Sequence, residues 1–557
     1  MDKRKQLLTR KGALWTERSS WDSHWREIAQ HQMPRAGRFI ETDANRGGKK
    51  HQNIYDNTAI FAHRTLAAGM MSGMTSPARP WFRLGLSDKD LMEYAPVRDW
   101  LFQTAEIMRA VFSASNTYNA LHQCYEELGA FGTWADFVQP DFENVVHHYP
   151  MTIGEYALAI NDKGVVDTVY RQVQMTVGQL VKQFGRDKCS TAVKNLYDRG
   201  TLDSWVPVIH AVQPRADYDR TKRDSLNMPW QSCYFETGSN EDMFLSESGF
   251  KRFPALCPRW VVTGNDIYGR SPGMDCLGDV KQLQHEQLRK AQAIDYQVNP
   301  PLQIPTQYKD QANKRMPGGT MFVDATGPGG GVRSAYEVNL RLDYLLPDIQ
   351  DTRERIRGAY YADLFLMMAN DKRSGVTATE IAERHEEKLL MLGPVLERLQ
   401  NELLSPLIDI TFDRMTAAGI VPPPPPEIAG RELNIEFIST LAQAQRAVAA
   451  AGSDRLLGTV STLVQVWPEV RHKIDAMQVI DDYGAMFGVN PKIVRPDEDA
   501  KAMADAEAQA AQAAQQGMAM AQAVDSAKTA SEVNPQGMRD VLGMFQGYNS
   551  PTATEVA

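Results

Sequence analysis

Residues Gly375–Gly419 read GVTATEIAERHEEKLLMLGPVLERLQNELLSPLIDITFDRMTAAG, and this stretch sets the scale of the fold. Thr377, with Glu380 three residues on, forms a capping box in which each side chain satisfies a backbone N–H at a helix start. Gly419 and the run Pro422–Pro426 mark the stop, because proline cannot continue a helix. Between them Leu389, Leu392, Leu396, Leu399, Leu403, Leu407 and Ile410 recur at steps of three and four, one apolar stripe. At about 1.5 Å per residue the helix reaches roughly 60 Å. It either ties several regions together or serves as an ordinary core helix. Pro394 and Pro406 each remove a helical hydrogen bond, so a bend is expected near one or both.

A chain of 557 residues suits three or more domains, and its composition is that of a globular protein. The net charge of −9 argues against a surface that grips nucleic acid throughout, since such binding neutralises phosphates with Lys and Arg. Local basic patches remain open. Cys124, Cys189, Cys233, Cys257 and Cys276 are odd in number and contain no CxxC pair, so they read as reduced thiols with no zinc site. No cofactor or metal is expected. MDKRKQLLTRKG at the N-terminus has no apolar segment behind it, and no run approaches about 18 apolar residues, so no membrane anchor is expected.

Residues 1 to about 75 read as two helices, the first carrying Trp15, Trp21, Trp25 and Ile28 on one face, the second running from Ile54 to Met74. Ala78–Leu84 reads as extended. Helix returns over 90–130, with Trp100, Ile107, Val111 and Leu121 as core positions. From about 131 to 275 the pattern is of strands. Glu155–Ile160, the turn Asn161–Gly164 and Val165–Met175 form a hairpin, followed by the helix TVGQLVKQFG and short strands at Trp205–Val212, Gln231–Glu236 and Trp260–Val262. After Asp279, a natural N-cap, a thinly striped polar helix runs to Val298, either solvated or packed against like neighbours. Another runs from Pro347 to about Met368, and Leu433–Ile438 reads as a strand. Helix resumes at Leu441 and extends to about 490. Beyond Asp499 the Ala, Gln and Met tail is either mobile or helical beside identical neighbours.

Signatures of catalysis are wanting. RGGKK at Arg46–Lys50 lacks the leading Gly and the hydroxyl residue of a P-loop. The glycines of Gly327–Gly331 form a flexible loop more readily than a phosphate cradle. His385 with Glu383, Glu386 and Glu387 lacks the second His of HExxH, and His147-His148 reads as surface. Lys372 and Arg373, in a polar loop between two long helices, are placed to touch a passing polyanion or to be simply solvated.

The runs IYDNTAIFAHRTLAAGMMSGMTSPARPWFRL, YGRSPG with its following helix and VNPP, VTATEIAERHEEKLLMLGPVLERLQNELL and GRELNIEFISTLAQAQRA resemble the head-to-tail connector, or portal, proteins of short-tailed double-stranded-DNA bacteriophages. The match covers about residues 10–495. The resemblance implies a mixed α+β, mainly helical chain, without catalytic activity, that assembles as a ring of usually twelve copies at a capsid vertex of the virion, after synthesis in the host cytoplasm. It implies a wing (1–278), stem helices (279–298 and 347–368), a clip (299–346) and a channel loop (369–375). A long bent wing helix with polyproline linker and strand (376–438), a crown (439–495) and a barrel-like or disordered tail (496–557) complete it. Implied partners are double-stranded DNA without sequence preference, major capsid and scaffolding proteins, the terminase motor and a tail adaptor. Asn370, Asp371, Lys372 and Arg373 are the channel-loop candidates, and Lys281, Gln284, Arg289, Gln292, Arg353 and Arg357 the stem and subunit-interface candidates. A non-channel scaffold or tail adaptor, or a nuclease or packaging enzyme subunit, are the alternatives.

Overall fold

Alternate residues of one short strand serve two different cores, and much of the chain is built around that division. The computed structural model describes residues 3–39, 48, 52–88, 91–92, 94–219, 221–222, 224–239, 243–298, 302–303, 333–334, 344–370, 391–439, 441, 456–464, 466–480 and 497–533. They fall into two units, Met1–Ser87 with Asp99–Leu456, and Asp88–Arg98 with Leu457–Ala557. Helix and sheet are mixed, as expected. Most of the clip expected at 299–346, the Thr377–Glu380 capping box, Leu389, most of the crown, the RGGKK string but for Gly48, the glycine loop and His385 with its glutamates lie outside the described residues.

In chain order the first elements are α1 (Lys3–His31), α2 (Thr58–Met74), β1 (Phe82–Gly85), α3 (Ala95–Ala114) and α4 (Thr117–Phe131). A three-stranded sheet follows, β2 (Ala135–Asp141) between β3 (Val145–Met151) and β9 (Ala255–Leu256). A five-stranded antiparallel sheet runs β4 (Tyr156–Ile160), β5 (Val166–Thr176), β6 (Trp205–Pro214), β7 (Trp230–Glu236) and β8 (Ser246–Phe250). The expected hairpin is β4–β5. Its turn works because the Asn161 side-chain oxygen accepts from the N–H of Lys163 (2.9 Å) and Val165 (3.0 Å), and Gly164 takes φ +74°. Short helices α5 (Val177–Phe184), closed by a Thr176–Gln179 capping box, and α6 (Thr191–Asp198) connect β5 to β6. The strand expected at Trp260–Val262 is only an isolated bridge, Val261 to Arg270. Pro254 and Pro258 withhold ladder donors on either side of β9.

Tyr156 and Leu158 point into a core with Val169, Val212, Phe131, Phe137, Trp25 and Ile28. Ala157 and Ala159 point the other way, to Tyr170, Ile209, Phe235, Leu7 and Leu14. Helix α1 therefore feeds both cores, and Trp15 packs on the second, apart from Trp21 and Trp25 with which it was grouped. Where α1 crosses the sheet edge, buried Arg18 donates to the carbonyls of Gly154 (3.0 Å) and Tyr156 (2.6 Å) and pairs with Asp22.

Helix α7 (Leu277–Val298) starts two residues before Asp279, because the chain is already helical through a turn, Pro272–Asp275, capped by the Ser271 hydroxyl. A two-residue ladder joins β10 (Leu302–Gln303) to β11 (Arg333–Ser334). The stretch expected as one helix to Met368 is two, α8 (Leu345–Ala359) and α9 (Ala362–Asn370). They are separated where buried Tyr360 reaches Gln32 Oε1 at 2.5 Å and Tyr361 takes φ +52°.

The long helix is described from 391. It runs to 399, widens into a π-helical turn at Gln400–Leu404 and continues as α10 (Ser405–Ala417). Pro406 has no N–H for the Glu402 carbonyl and its ring crowds that carbonyl, so an enlarged turn, in which Ser405 N–H reaches Gln400 O, relieves the conflict. Leu392, Leu396, Leu399, Leu403, Leu407 and Ile410 are all buried, as the stripe requires. Gly419, at φ +70°, ends the helix. The expected extended segments pair with each other, β1 against β12 (Asn434–Phe437), with Arg83 bonded to Glu436 at 2.6 Å. In the second unit α11 (Asp497–Val533) is a single helix whose side chains from Lys501 to Gln522 are exposed.

Glu402, on the π turn, accepts from the backbone N–H (3.0 Å), Nε (3.2 Å) and Nη2 (2.7 Å) of Arg259, which also donates to Gly164 O at 2.8 Å. The Arg259 side chain is 3% exposed. Glu402→Ala is expected to leave that guanidinium buried and unpaired and to cost about 3–5 kcal/mol, read as a lowered urea midpoint at unchanged slope.

Candidate functional site

Asp56 is the hub on which α7 and α8 are mounted. Its Oδ1 accepts from Thr58 N (2.9 Å) and Oγ1 (2.5 Å) at the start of α2. Its Oδ2 accepts from Gln287 Nε2 (3.1 Å) on α7 and from Arg353 Nη2 (2.8 Å) and Nε (3.1 Å) on α8. Gln284 completes the joint: Oε1 accepts from the N–H groups of Tyr55 (2.6 Å) and Asp56 (2.9 Å), and Nε2 donates to Asp56 O (2.9 Å). Helix α2 begins at Thr58 and not, as expected, at Ile54. Burial acts to raise the Asp56 pKa, but the bonds from Thr58 and Arg353 outweigh it and leave the carboxyl below its usual value.

Asp279 on α7 pairs with Arg355 on α8 (3.7 Å), while Gln287, eight residues later on α7, shares Asp56 with Arg353. Order along one helix thus reverses along the other, and the pair is antiparallel. Its far end carries exposed Ile294, Tyr296 and Val298 from α7 and Tyr344 and Leu346 from α8. Among the interface candidates, Gln284 and Arg353 are engaged within the chain, and Lys281 pairs with Glu27 at 3.1 Å. Arg289 and Arg357 are exposed, and Arg289 bonds Gln292 at 3.1 Å. Asn370 is the last residue of α9, whereas Asp371, Lys372 and Arg373 lie outside the described residues. Helix α9 is seated on α2 by Gly69, where any Cβ would collide with Phe365. Asp56 and Gln287 were not singled out from the sequence. The Asp-Asn-Thr run before an apolar helix was the available signal.

One cluster has the connectivity of a hydrolytic triad. Thr117 Oγ1 lies 3.0 Å from His148 Nε2, and His148 Nδ1 lies 2.6 Å from Asp136 Oδ2. All three are sealed in the interior, with exposures of 0%, 2% and 0%, so no substrate carbonyl reaches Thr117. Asn116 clamps His148 from both sides, its amide bonding the His148 backbone at 2.8 and 2.9 Å. The cluster is a structural joint between α4 and β3. His148 was expected at the surface. It is interior because β3 alternates, and only His147 faces outward.

Buried Glu127 accepts from Thr152 Oγ1 (2.6 Å) and Ile153 N (3.3 Å), and burial pushes its carboxyl up to about 8. Among the described residues no group of His, Cys, Asp and Glu is arranged to hold a metal ion, and no helix is long and apolar enough to cross a membrane. The five cysteines are free and buried.

Residues 4–494 match the family described as bacteriophage head to tail connecting protein. The chain is 55% identical over 548 residues to a probable portal protein of Bordetella phage BPP-1, covering 98% of this chain and 99% of the relative. It is 44% identical over 550 residues to a portal protein of Salmonella phage epsilon15, again 98% and 99%. A chain solved in the virion of a native gene transfer agent particle aligns with 78% of this chain and 94% of its own, at 11% identity and a TM-score of 0.32.

Asp56→Ala should remove about 2 kcal/mol or more of charged hydrogen bonding, with the loss of amide-exchange protection concentrated in α7 and α8. Because the Asp56 pKa is lowered in the folded state, its contribution is present above about pH 4 and is lost as pH falls through the lower folded value. Glu127 has the opposite sign. Its folded pKa of about 8 lies above the ordinary carboxyl value, so stability falls as pH rises from about 4.5 to 8. The slope is about 1.4 kcal/mol per pH unit, and Glu127→Gln is expected to remove it from a series of urea titrations.

Proposed function

This chain belongs to the bacteriophage head to tail connecting protein family, and from that premise we propose that it is the portal subunit of a phage head. Identical copies, twelve in this reading, close into a ring at one capsid vertex, and double-stranded DNA passes through the central channel inward at packaging and outward at ejection. The observation that carries the reading is the α7–α8 pair. Its base is fixed by Asp56, while its far end presents Ile294, Tyr296, Val298, Tyr344 and Leu346 to solvent. Apolar surface clustered on an otherwise polar helix pair suits contact with a neighbouring copy, and head-to-tail contacts that close by rotation make a ring. In that ring Arg289, Gln292 and Arg357 meet the neighbour, while Lys281, Gln284 and Arg353 hold the stem to its own subunit.

Helix α9 ends at Asn370, and Asp371, Lys372 and Arg373 follow it in sequence. In this reading the two cations make transient contacts with DNA phosphates. With a net charge of −9 the chain offers no uniformly basic tunnel, so the duplex slides and is not held. Residues 299–346 form the clip that meets the terminase motor and later the tail adaptor. Capsid and scaffolding proteins surround the wing, and the energy of packaging comes from the separate motor.

The purified chain is expected to give, by light scattering and negative-stain electron microscopy, a closed ring with a hole wide enough for duplex DNA. A stable closed oligomer without a hole would return the assignment to a scaffold. Lys372→Ala with Arg373→Ala should lower the DNA retained by filled heads while leaving ring assembly intact, and unchanged packaging and retention would remove the loop's role.

A further inference from the structure

A cleft of about 690 Å³ opens above Glu127, walled by the turn after α1, by α2 and by α4. Arg35, Arg38 and Arg64 face it, with Glu126 and Glu155. Arg38 is ion-paired to Glu155. Arg35 and Arg64 are exposed and make no ion pair among the described residues. Glu127, held protonated near neutral pH by its burial, adds no charge at the floor. Among the described residues two unpaired guanidinium groups therefore face one carboxylate without an arginine partner, Glu126, which lies 4.0 Å from the His122 ring. Met33 and Ile60 give the lining an apolar part.

We propose that this cleft docks an acidic peptide segment of a partner protein, setting carboxylates on Arg35 and Arg64 and an apolar side chain on Met33 and Ile60. Guanidinium groups bind planar carboxylates through paired hydrogen bonds. A concavity of this volume takes in a few side chains, as ligand-sized sites do. It does not take the side of a stiff duplex, whose phosphates call for an extended basic track. The site is independent of the ring reading, since every residue in it belongs to one chain and none lies on α7, α8 or α9.

The test is fluorescence anisotropy on the full chain with a dye-labelled, acetylated hexapeptide, Glu-Glu-Leu-Asp-Glu-Leu, beside its Gln-Gln-Leu-Asn-Gln-Leu counterpart. Saturable binding of the acidic peptide alone is expected. It should weaken by about tenfold or more, roughly 1.4 kcal/mol, in the Arg35→Gln and Arg64→Gln double variant, whose circular dichroism should be unchanged because both side chains are exposed. Glu126→Gln, which removes the opposing charge, should tighten it. No saturable binding, or equal binding to the double variant, overturns the proposal. Displacement by inorganic phosphate or duplex DNA at lower concentration than unlabelled peptide overturns it in favour of a phosphate site.

Discussion

The buried contact between Arg259 and Glu402 fastens the long helix to the sheets at one point. Arg259 sits just after β9, reaches the carbonyl of Gly164 in the β4–β5 turn, and is neutralised by a carboxylate on the long helix. A guanidinium at 3% exposure is tolerable only with its counter-ion in place, so the helix has one register against the sheets. That register in turn puts the leucine stripe into the core. The π turn is part of the same arrangement: it absorbs the defect that Pro406 creates and carries Glu402 at the point of contact. A straight α-helix through this region would rotate every later side chain by about 100° per residue of mismatch, so proline, widened turn and ion pair work together.

Local signals survived well in the sequence, and pairings across long distances did not. The β4–β5 hairpin was legible because Asn161 and Gly164 do their work within five residues. The stop at Gly419 and the stripe from Leu392 to Ile410 were legible for the same reason. Trp15 was misplaced because α1 is long enough to cross from one core to another, and a helical wheel cannot show a change of partner along the axis. His148 was misread because a pair of adjacent histidines looks polar until the strand's alternation is known. The α7–α8 site is half visible in the sequence: its polar character can be read, but Asp56, more than 200 residues before Gln284 and Arg353, meets them only through the fold.

Asp56 and Glu127 show how burial takes a carboxyl in opposite directions. Around Asp56 the donors Thr58, Gln287 and Arg353 outnumber the cost of leaving water, and the charge is kept. Around Glu127 a hydroxyl and one backbone N–H are too few, and the proton is kept instead. One group is a charged fastener between helices and the other a neutral floor beneath a cationic cleft. Neither behaviour is written in the residue type; both follow from the number of donors within reach.

The ladder between β1 and β12 bears on how the protein is made. Arg83 and Glu436 are 353 positions apart, so β1 leaves the ribosome long before its partner strand exists. Through most of translation that strand is an unpaired edge, the kind of surface that recruits the wrong strand. Its length of four residues, with Arg83 midway and Pro80 just before it, keeps the exposed edge short and charged while it waits. The first unit therefore closes late in synthesis, through a ladder between strands far apart in sequence.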